Sequence, residues 1–291
     1  MPVIHHQSVL KGLTVQEAMR RSLIQLPRQA SLEQAIRYLI KYKVNALLII
    51  NEQHEPLGVV SKTDLMGAYY AGLPVDAPVE TIMVGPPLFC HPEDSLDAAL
   101  ETMRTHRVHR LYVLNEAAQQ AMGVLAYPDI VGLLYRFCNK CNRSISKNQD
   151  LADRFQVREV MTPAVQAYGQ DASLAEVMEG LAAYRFGAVL IKNLRDLPVG
   201  VVSKTDLIIA YKHGVSPQAE ARTIMNSPVQ SCDQEDLLLA ALQKMIFADV
   251  HRLFVYQGQP QHLVGVLSLS DVARFRSGSC RACLISRVKI D

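Results

Sequence analysis

Apolar and polar residues alternate along the chain in a pattern that predicts one short series of elements four times. In the first copy, residues 23–26 and 45–50 are apolar runs with the length of buried strands. Between them, behind the capping residue Ser31, apolar residues recur at helical spacing and predict one apolar stripe. That stripe consists of Leu32, Ala35, Ile36, Leu39 and Ile40. A polar stretch, a further apolar run at 57–60 and a closing helix complete the predicted order, β-α-β-β-α.

An eight-residue segment identifies the copies as repeats. The segment Gly58-Val59-Val60-Ser61-Lys62-Thr63-Asp64-Leu65 returns without a change at residues 200–207, which is an offset of 142 residues. Weaker relatives occupy residues 123–130 and 265–272. Each segment is typical of a buried strand that ends in a polar turn, after which an Asp is expected to cap the next helix. Four copies in register predict a repeat protein.

The repeat offsets predict where each unit begins and ends. The second unit follows the first at an offset of 64 residues, and the second half repeats the first at 142 without insertion. Equivalent positions are held by Met19, Met83, Met161 and Met225. The expected units are residues 14–72, 79–137, 157–215 and 221–279, with an arm at 1–13, a linker at 138–156 and a tail at 280–291. One unit cannot bury both of its faces, so we expect an α/β fold of α+β repeats that pair with pseudo-two-fold symmetry.

Composition narrows the class of protein. Hydrophobic residues make up 49% of the 291 residues, which is enough for a sizeable core. The formal charge of +2 does not favour a general nucleic-acid or acidic-lipid surface. No apolar run approaches the roughly 20 residues that span a bilayer, and the N-terminal residues lack the apolar region of a signal peptide. We therefore expect a soluble cytoplasmic protein that binds neither nucleic acid nor membrane.

The four turns, named turn one (61–64), turn two (126–129), turn three (203–206) and turn four (268–271), carry a family resemblance. With their G-x-x-S-x-x-D pattern the units resemble cystathionine-beta-synthase (CBS) domains, which pair into Bateman modules. The four-unit order is similar to that of the gamma-subunit family of AMP-activated protein kinase. The resemblance implies a non-catalytic regulatory protein that binds AMP, ADP or ATP between paired units and signals to an unidentified protein partner. S-adenosylmethionine is a further candidate ligand.

The resemblance also implies roles for individual side chains. In the family the aspartate of each turn binds ribose hydroxyls, which assigns Asp64, Asp129, Asp206 and Asp271. Neighbouring hydroxyls contact ribose or phosphate, which assigns Ser61, Thr63, Ser203, Thr205, Ser268 and Ser270. Phosphate contacts fall on the basic pairs His109, Arg110, His251 and Arg252. The chemistry is consistent, because a carboxylate accepts from both hydroxyls of a cis-diol and a guanidinium donates a fork of hydrogen bonds to phosphate.

Two departures from the family pattern change this assignment. Turn two has Ala126 in place of a hydroxyl residue and Pro128 before its aspartate, so we do not expect it to bind well. Units one and three carry Asn45-Ala46 and Gly187-Ala188 where the other units carry His-Arg, so their positive charge has to come from Lys62, Lys204 or a paired unit. We prefer turns one and three. A Ser and an Asp before a helix are also typical of plain helix starts, and the two histidines could be structural.

Two cysteine pairs repeat with the units but are not required by the family. Cys138-x-x-Cys141 and Cys280-x-x-Cys283 occupy equivalent places, 142 residues apart. Four thiolates would suit Zn²⁺ or an iron–sulfur cluster, and a C-x-x-C pair could also be redox-active. Inert copies of a duplicated segment are the third interpretation. Cys90 and Cys232, also equivalent, are predicted to be buried in strands.

Four functional classes remain open, and a regulatory adenine-nucleotide sensor is favoured. The alternative is a thiol-based redox or metal-responsive protein with vestigial nucleotide sites. A structural adaptor is the third class. An enzyme is least favoured, because no Walker loop, G-x-S-x-G or H-E-x-x-H motif is present. The repeat could assemble within one chain or as a homodimer.

Overall fold

The computed structural model describes residues 12–115, 120–133 and 156–274, which contain the four repeated units. After α1 (Val15–Ala18), unit one contains β1 (Gln25–Pro27), α2 (Leu32–Lys41), β2 (Ala46–Ile50), β3 (Pro56–Ser61) and α3 (Lys62–Tyr70). Unit two contains β4 (Phe89–Cys90), α4 (Leu96–Thr105), β5 (Arg110–Asn115), β6 (Gln120–Ala126) and α5, helical over 127–133. Unit three contains β7 (Ala167–Gly169), α6 (Leu174–Ala183), β8 (Ala188–Lys192), β9 (Pro198–Ser203) and α7 (Lys204–Lys212). Unit four contains β10 (Ser231–Asp233), α8 (Leu238–Phe247), β11 (Arg252–Gln257), β12 (Gln259–Ser268) and α9 (Leu269–Arg274).

Each unit forms one three-stranded sheet, and the order β-α-β-β-α predicted from the sequence is confirmed. In every sheet the first strand pairs with the second in parallel, across the intervening helix. The second and third strands form an antiparallel hairpin. Single 3₁₀ turns at Val79–Thr81, Val157–Glu159 and Ala221–Thr223 precede units two, three and four or lie at their start.

The helix that follows each turn begins earlier than the sequence pattern predicts. The prediction that Asp64 caps α3 is wrong, because Ser61 is the N-cap and Asp64 is the third helical residue. The Ser61 hydroxyl accepts from the Asp64 amide, and the Asp64 carboxylate accepts from the Ser61 amide at 2.7 Å. Such a capping box satisfies two free amides at the helix start at once, which an Asp at the cap alone cannot do. The strand predicted at 23–26 likewise lies slightly later, at Gln25–Pro27.

Apolar side chains pack the units in two different ways. The predicted stripe of α2 is buried at Leu32, Ala35, Ile36 and Leu39. Helices of unit one pack against helices of unit three in one core, and units two and four share a second core. The sheets of units one and two meet in a smaller cluster of Leu48, Ile50, Tyr112 and Val124. Sheet contact thus joins units within a half, and helix contact joins the two halves.

Reciprocal contacts reveal a pseudo-two-fold axis between the halves. The Tyr69 hydroxyl donates to the carbonyl oxygen of Val215 at 2.7 Å, and the equivalent Tyr211 hydroxyl donates to that of Leu73 at 2.6 Å. The two rings stack with centroids 5.0 Å apart. Because both bonds obey the 142-residue offset, each half makes the same contact to the other.

Close backbone approach explains the glycine of the repeated segment. A Cβ at Gly123 would lie 2.8 Å from the carbonyl oxygen of Arg20 and 3.2 Å from the Met19 sulfur. Arg20 forms an antiparallel bridge with Val124 at this point. The repeated methionine of one unit therefore packs onto the repeated glycine of the paired unit. No helix within residues 12–115, 120–133 and 156–274 is both long and apolar enough to cross a membrane.

Candidate functional site

Turns one and three face each other across the pseudo-two-fold axis. The Lys62 ammonium donates to the Thr205 hydroxyl at 2.8 Å, and the Lys204 ammonium donates to the Thr63 hydroxyl at 2.9 Å. Each lysine starts a closing helix and leaves its own unit to reach the other half. The two eight-residue segments that are identical in sequence are therefore also direct neighbours in space.

The basic residues of units two and four reach the strands next to turns one and three. Arg110 donates to the carbonyl oxygen of Ala46 at 2.8 Å, which places its guanidinium at the start of β2. The equivalent Arg252 lies on Gly187, where a Cβ would collide with its guanidinium nitrogens. A side chain at 187 would have to share this space with the guanidinium of unit four. Cations of units two and four therefore lie beside the strands of units one and three, and the Arg252 charge is attracted by Asp271 of its own unit and by Asp206 of unit three.

Burial makes the charged forms of the two central lysines energetically unfavourable. Burial, followed by repulsion from Arg110, lowers the pKa of Lys62 from 10.5 to about 8, although Asp206 opposes this shift. Burial and the nearby Arg252 lower the pKa of Lys204 to about 8, and Asp64 opposes this. An anion placed among these groups would stabilise their charged forms.

Both central arginines are partly buried as well. Burial lowers the pKa of Arg252 to about 10, while Asp271 and then Asp206 attract its charge. Burial is also the main cause that lowers the pKa of Arg110. Two ammonium and two guanidinium groups thus converge on the centre of the molecule, at the inner ends of the carboxylate turns.

The two histidines of the basic pairs have different surroundings. Burial lowers the pKa of His251, and the cations of Lys62 and Arg252 lower it further, so its ring favours the neutral form. His109 packs edge-on against the ring of Tyr127, with centroids 5.6 Å apart. Lys43 forms an ion pair with Asp249 beside the unit-four histidine, and it links unit one to unit four.

The capping boxes use one carboxylate oxygen of each turn aspartate. In turns one, three and four this oxygen accepts from the amide and hydroxyl of the serine three residues earlier. In turn two the residue at that position is Ala126, and only its amide donates to Asp129, at 2.8 Å. The other oxygen of each carboxylate, here called the outer oxygen, takes no part in the capping box. It is the oxygen that can bond a ligand or another side chain.

Turn two is closed by the protein itself. Arg20 forms an ion pair with the outer oxygen of Asp129 at 2.7 Å, and the Asp129 side chain is only 7% exposed. Burial raises the pKa of this carboxyl, and Arg20 opposes the shift. The ribose contact that the resemblance implies at Asp129 has no free oxygen here, in keeping with the sequence departures at Ala126 and Pro128.

Sequence reasoning missed two side chains that contact turn aspartates. Arg20 holds Asp129, and Asn226 donates to the outer oxygen of Asp206 at 2.7 Å. Both residues directly follow a repeated methionine, Met19 or Met225. The sequence therefore contained a cue to both residues. The methionine repeats in all four units, whereas the residue directly after it differs from unit to unit.

The cysteine predictions are tested only in part. Cys138, Cys141, Cys280 and Cys283 lie outside the described residues. Cys90 and Cys232 are buried in β4 and β10, as predicted. Burial is the main cause that raises the pKa of each thiol to about 12, so neither is a ready thiolate. The described part of the chain contains no group of three or more His, Cys, Asp or Glu side chains able to hold a metal ion.

Solved structures share this fold over nearly the whole chain. A protein of Methanocaldococcus jannaschii, described as an archaeal homologue of the gamma subunit of AMP-activated kinase, covers 90% of this chain and 99% of its own, with a TM-score of 0.75 and 15% identity. A Pyrococcus horikoshii protein has the same coverage, with a TM-score of 0.58 and 16% identity. At these identities the likeness concerns the fold alone.

Sequence comparison finds relatives and a family. The human 5′-AMP-activated protein kinase subunit gamma-3 is 27% identical over 195 residues, which are 62% of this chain and 38% of that subunit. The chain spans less than two fifths of the length of this relative and of its pig and cattle counterparts. The CBS domain model matches residues 15–71, 79–136, 157–213 and 221–278. The chain therefore belongs to the CBS domain family, with four copies of the domain.

Proposed function

We propose that this protein is a non-catalytic regulatory sensor that binds an adenine nucleotide in the clefts shared by paired units. The observation that carries the proposal is the convergence of Lys62, Lys204, Arg110 and Arg252 beside the carboxylates of turns one and three. A nucleotide has the matching chemistry, since its phosphates are anionic and its ribose offers a cis-diol.

The unfavourable energy of holding four cations close together supports an anionic ligand. Four cations buried close together repel one another, and the lowered pKa values of the two lysines reflect both this repulsion and their burial. Structural ion networks are normally neutralised by partners, and in the described part of the chain the carboxylates that act on these cations are those of the turns. A phosphate group at the centre would supply the missing charge.

The adenine class is supported by the relatives. Three of the relatives are gamma subunits of a kinase whose name records activation by 5′-AMP. Turns one and three present the aspartates and hydroxyls that a ribose requires. We therefore place AMP, ADP or ATP ahead of S-adenosylmethionine, which lacks phosphate and leaves the central cations unpaired.

Transmission to a partner would follow from the shared centre. Each lysine belongs to one half and hydrogen-bonds a hydroxyl of the other, so a phosphate that attracts one lysine alters a contact between the halves. The ligand would thereby bias how the two halves are packed, and a protein partner that contacts both halves would respond.

The direct test is calorimetric titration of the purified chain with AMP, ADP, ATP and S-adenosylmethionine. The Asp64→Ala, Asp206→Ala double variant removes both preferred ribose carboxylates, and we expect at least a hundredfold loss of affinity. The matched control is Asp76→Ala, which removes an exposed carboxylate beyond the end of α3 and is expected to bind as the parent does.

Two results would contradict the proposal. One is that none of the four ligands binds to folded protein. The other is that the double variant binds as tightly as Asp76→Ala. The zinc and iron content of the same sample is measured in parallel, because a fixed metal ratio without nucleotide binding would move the function to the four C-x-x-C cysteines.

A further inference from the structure

One backbone bridge recurs in each unit and sets a side chain beside each turn. Arg20 bridges Val124, Val84 bridges Val59, Thr162 bridges Val266 and Asn226 bridges Val201. All four first-named residues directly follow a repeated methionine, and we name them the bridge residues. Each bridge residue lies against the strand that leads into a turn, and the side chains of Arg20 and Asn226 reach the outer oxygen of that turn's aspartate.

Three of the bridge residues, those beside turns one, two and three, differ in how they meet that oxygen. Arg20 neutralises Asp129 through an ion pair at 2.7 Å. Asn226 donates a neutral hydrogen bond to Asp206, also at 2.7 Å. Val84 has no donor and is 61% exposed beside turn one. Among the described residues, no hydrogen bond or ion pair reaches the outer oxygen of Asp64 or Asp271.

We propose that the bridge residue grades the ribose affinity of turns one, two and three, with turn one open, turn three partly occupied and turn two closed. This inference rests on the proposed nucleotide function and adds which sites fill first. A ribose that binds turn three has to displace the Asn226 amide, whereas one that binds turn one displaces only water. A ribose at turn two would have to separate Arg20 from a buried carboxylate, which is costly.

The cavity that Arg20 lines is small. Arg20 also lines a cavity of about 10 Å³ between units one and two, which holds about one water molecule. Arg110 and Tyr112 line the same cavity. The Tyr112 hydroxyl has no hydrogen-bond partner of acceptable geometry in the described chain, so the enclosed space is suited to a single polar molecule and too small for a nucleoside.

The test exchanges bridge residues in backgrounds with one preferred turn. Together with Asp271→Ala, which removes turn four, Asp206→Ala isolates turn one and Asp64→Ala isolates turn three. In the first background, Val84→Asn installs the turn-three amide and is expected to weaken AMP binding about tenfold, the effect of one hydrogen bond to a charged group. In the second background, Asn226→Val is expected to strengthen AMP binding by a similar factor.

A third exchange tests closure by arginine. In the Asp206→Ala, Asp271→Ala background, Val84→Arg transfers the Arg20 arrangement to turn one and is expected to weaken AMP binding more than a hundredfold. Val84→Thr is the matched control, because threonine has the shape of valine and is too short to imitate the amide. It is expected to bind AMP within about twofold of its background.

The outcomes separate this inference from the proposed function. If AMP binds but Val84→Asn and Asn226→Val leave its affinity unchanged, bridge residues do not grade the turns. Tighter AMP binding by Val84→Arg would also overturn the inference, since the arginine would then contact phosphate instead of Asp64. If the unmodified chain binds no adenine nucleotide at all, the proposed function fails and this inference fails with it.

Discussion

At the scale of single residues, the protonation of Lys62 and Lys204 controls the charge of the central site. Both have a pKa of about 8, so both are cationic at pH 7. At pH 9, one unit above that value, about one lysine in ten is still protonated. The neighbouring charges are Arg110, Arg252 and Asp206, together with His251, whose lowered pKa keeps it neutral over this range.

The first prediction is that AMP binds more weakly as pH rises from 7 to 9. Phosphate is already almost fully ionised at pH 7, because its second pKa lies near 6, so the ligand's charge is nearly constant. Loss of the lysine proton should cost up to about tenfold in affinity for each lysine that contacts phosphate. Titration calorimetry at several pH values measures the slope.

Arginine variants provide the control for this pH dependence. Lys62→Arg with Lys204→Arg keeps both charges at pH 9, because a guanidinium stays protonated there. The affinity of this variant should be nearly flat between pH 7 and 9. An equally steep decline in the variant would show that other groups cause the pH dependence.

The second prediction concerns Arg20 and folding stability. Arg20→Ala leaves the Asp129 carboxylate buried without its partner, so we expect the free energy of unfolding to fall by about 1–3 kcal/mol. Arg28→Ala is the control, because its ion pair with Glu80 is exposed on both sides and should contribute about 0–1 kcal/mol. Urea unfolding of both variants measures the difference, and equal losses would contradict a structural role for the Arg20 pair.

The turn residues could be predicted from the sequence, but their contacts could not. The aspartate appears four times in register and the serine three times, so their common role as a turn is evident from the pattern alone. Which unit lends a cation to which turn depends on packing between segments far apart in the chain. Arg110 and Ala46 are 64 residues apart, and no local pattern records that they meet.

At the scale of elements, the packing of α3 on α7 joins the two halves. Tyr69 and Tyr211 lie at equivalent places in these helices, stack on each other and bond the backbone of the opposite half. Burial raises the pKa of Tyr69 to about 12, so its hydroxyl keeps its proton and remains a donor over the whole physiological range.

The third prediction is that Tyr69→Phe and Tyr211→Phe each lower the free energy of unfolding by about 1 kcal/mol. Each change removes one hydroxyl and leaves a backbone carbonyl between the halves without its donor, while the ring still packs. Tyr70→Phe is the control, because the Tyr70 hydroxyl bonds Glu179 at the surface and its side chain is half exposed. Urea unfolding that gave the same loss for all three would contradict the assignment.

Helix and strand order followed from apolar spacing, but the choice of partner faces did not. The stripe on α2 and the buried strand β2 were both predicted from the sequence, and both are buried. Periodicity shows only that a helical face is apolar. It does not show whether that face packs on the neighbouring unit of the same half or on the equivalent unit of the other half. The helices after the turns also start earlier than predicted. A Ser three residues before Asp forms a capping box, which makes the Ser the N-cap of the helix.

At the scale of the whole molecule, neither half has a complete core. The larger core draws its side chains from units one and three, and the second from units two and four. Cutting the chain between halves would expose the apolar faces of α2 and α3, which carry Ile36, Leu39, Leu65 and Tyr69. Large exposed apolar faces favour association.

The fourth prediction is that residues 12–133 produced alone form a dimer in solution. A second copy presents the same α3 face that α7 presents in the intact chain, including the identical sequence Ser-Lys-Thr-Asp-Leu. Light scattering after gel filtration measures the mass of the fragment. A folded, stable monomer at micromolar concentration would contradict the prediction, and Leu39→Asp in the fragment should abolish the dimer by placing a charge in the shared core.

The reciprocal lysine–threonine bonds also constrain how the two halves can diverge. Lys62 donates to Thr205 and Lys204 donates to Thr63, so each copy of the repeated segment supplies the hydrogen-bond partner of the other. A substitution in one copy alone would spoil a contact that the second copy cannot restore. The lysine and threonine of the repeated segment are therefore coupled across the axis, and a change at either position is felt by both halves.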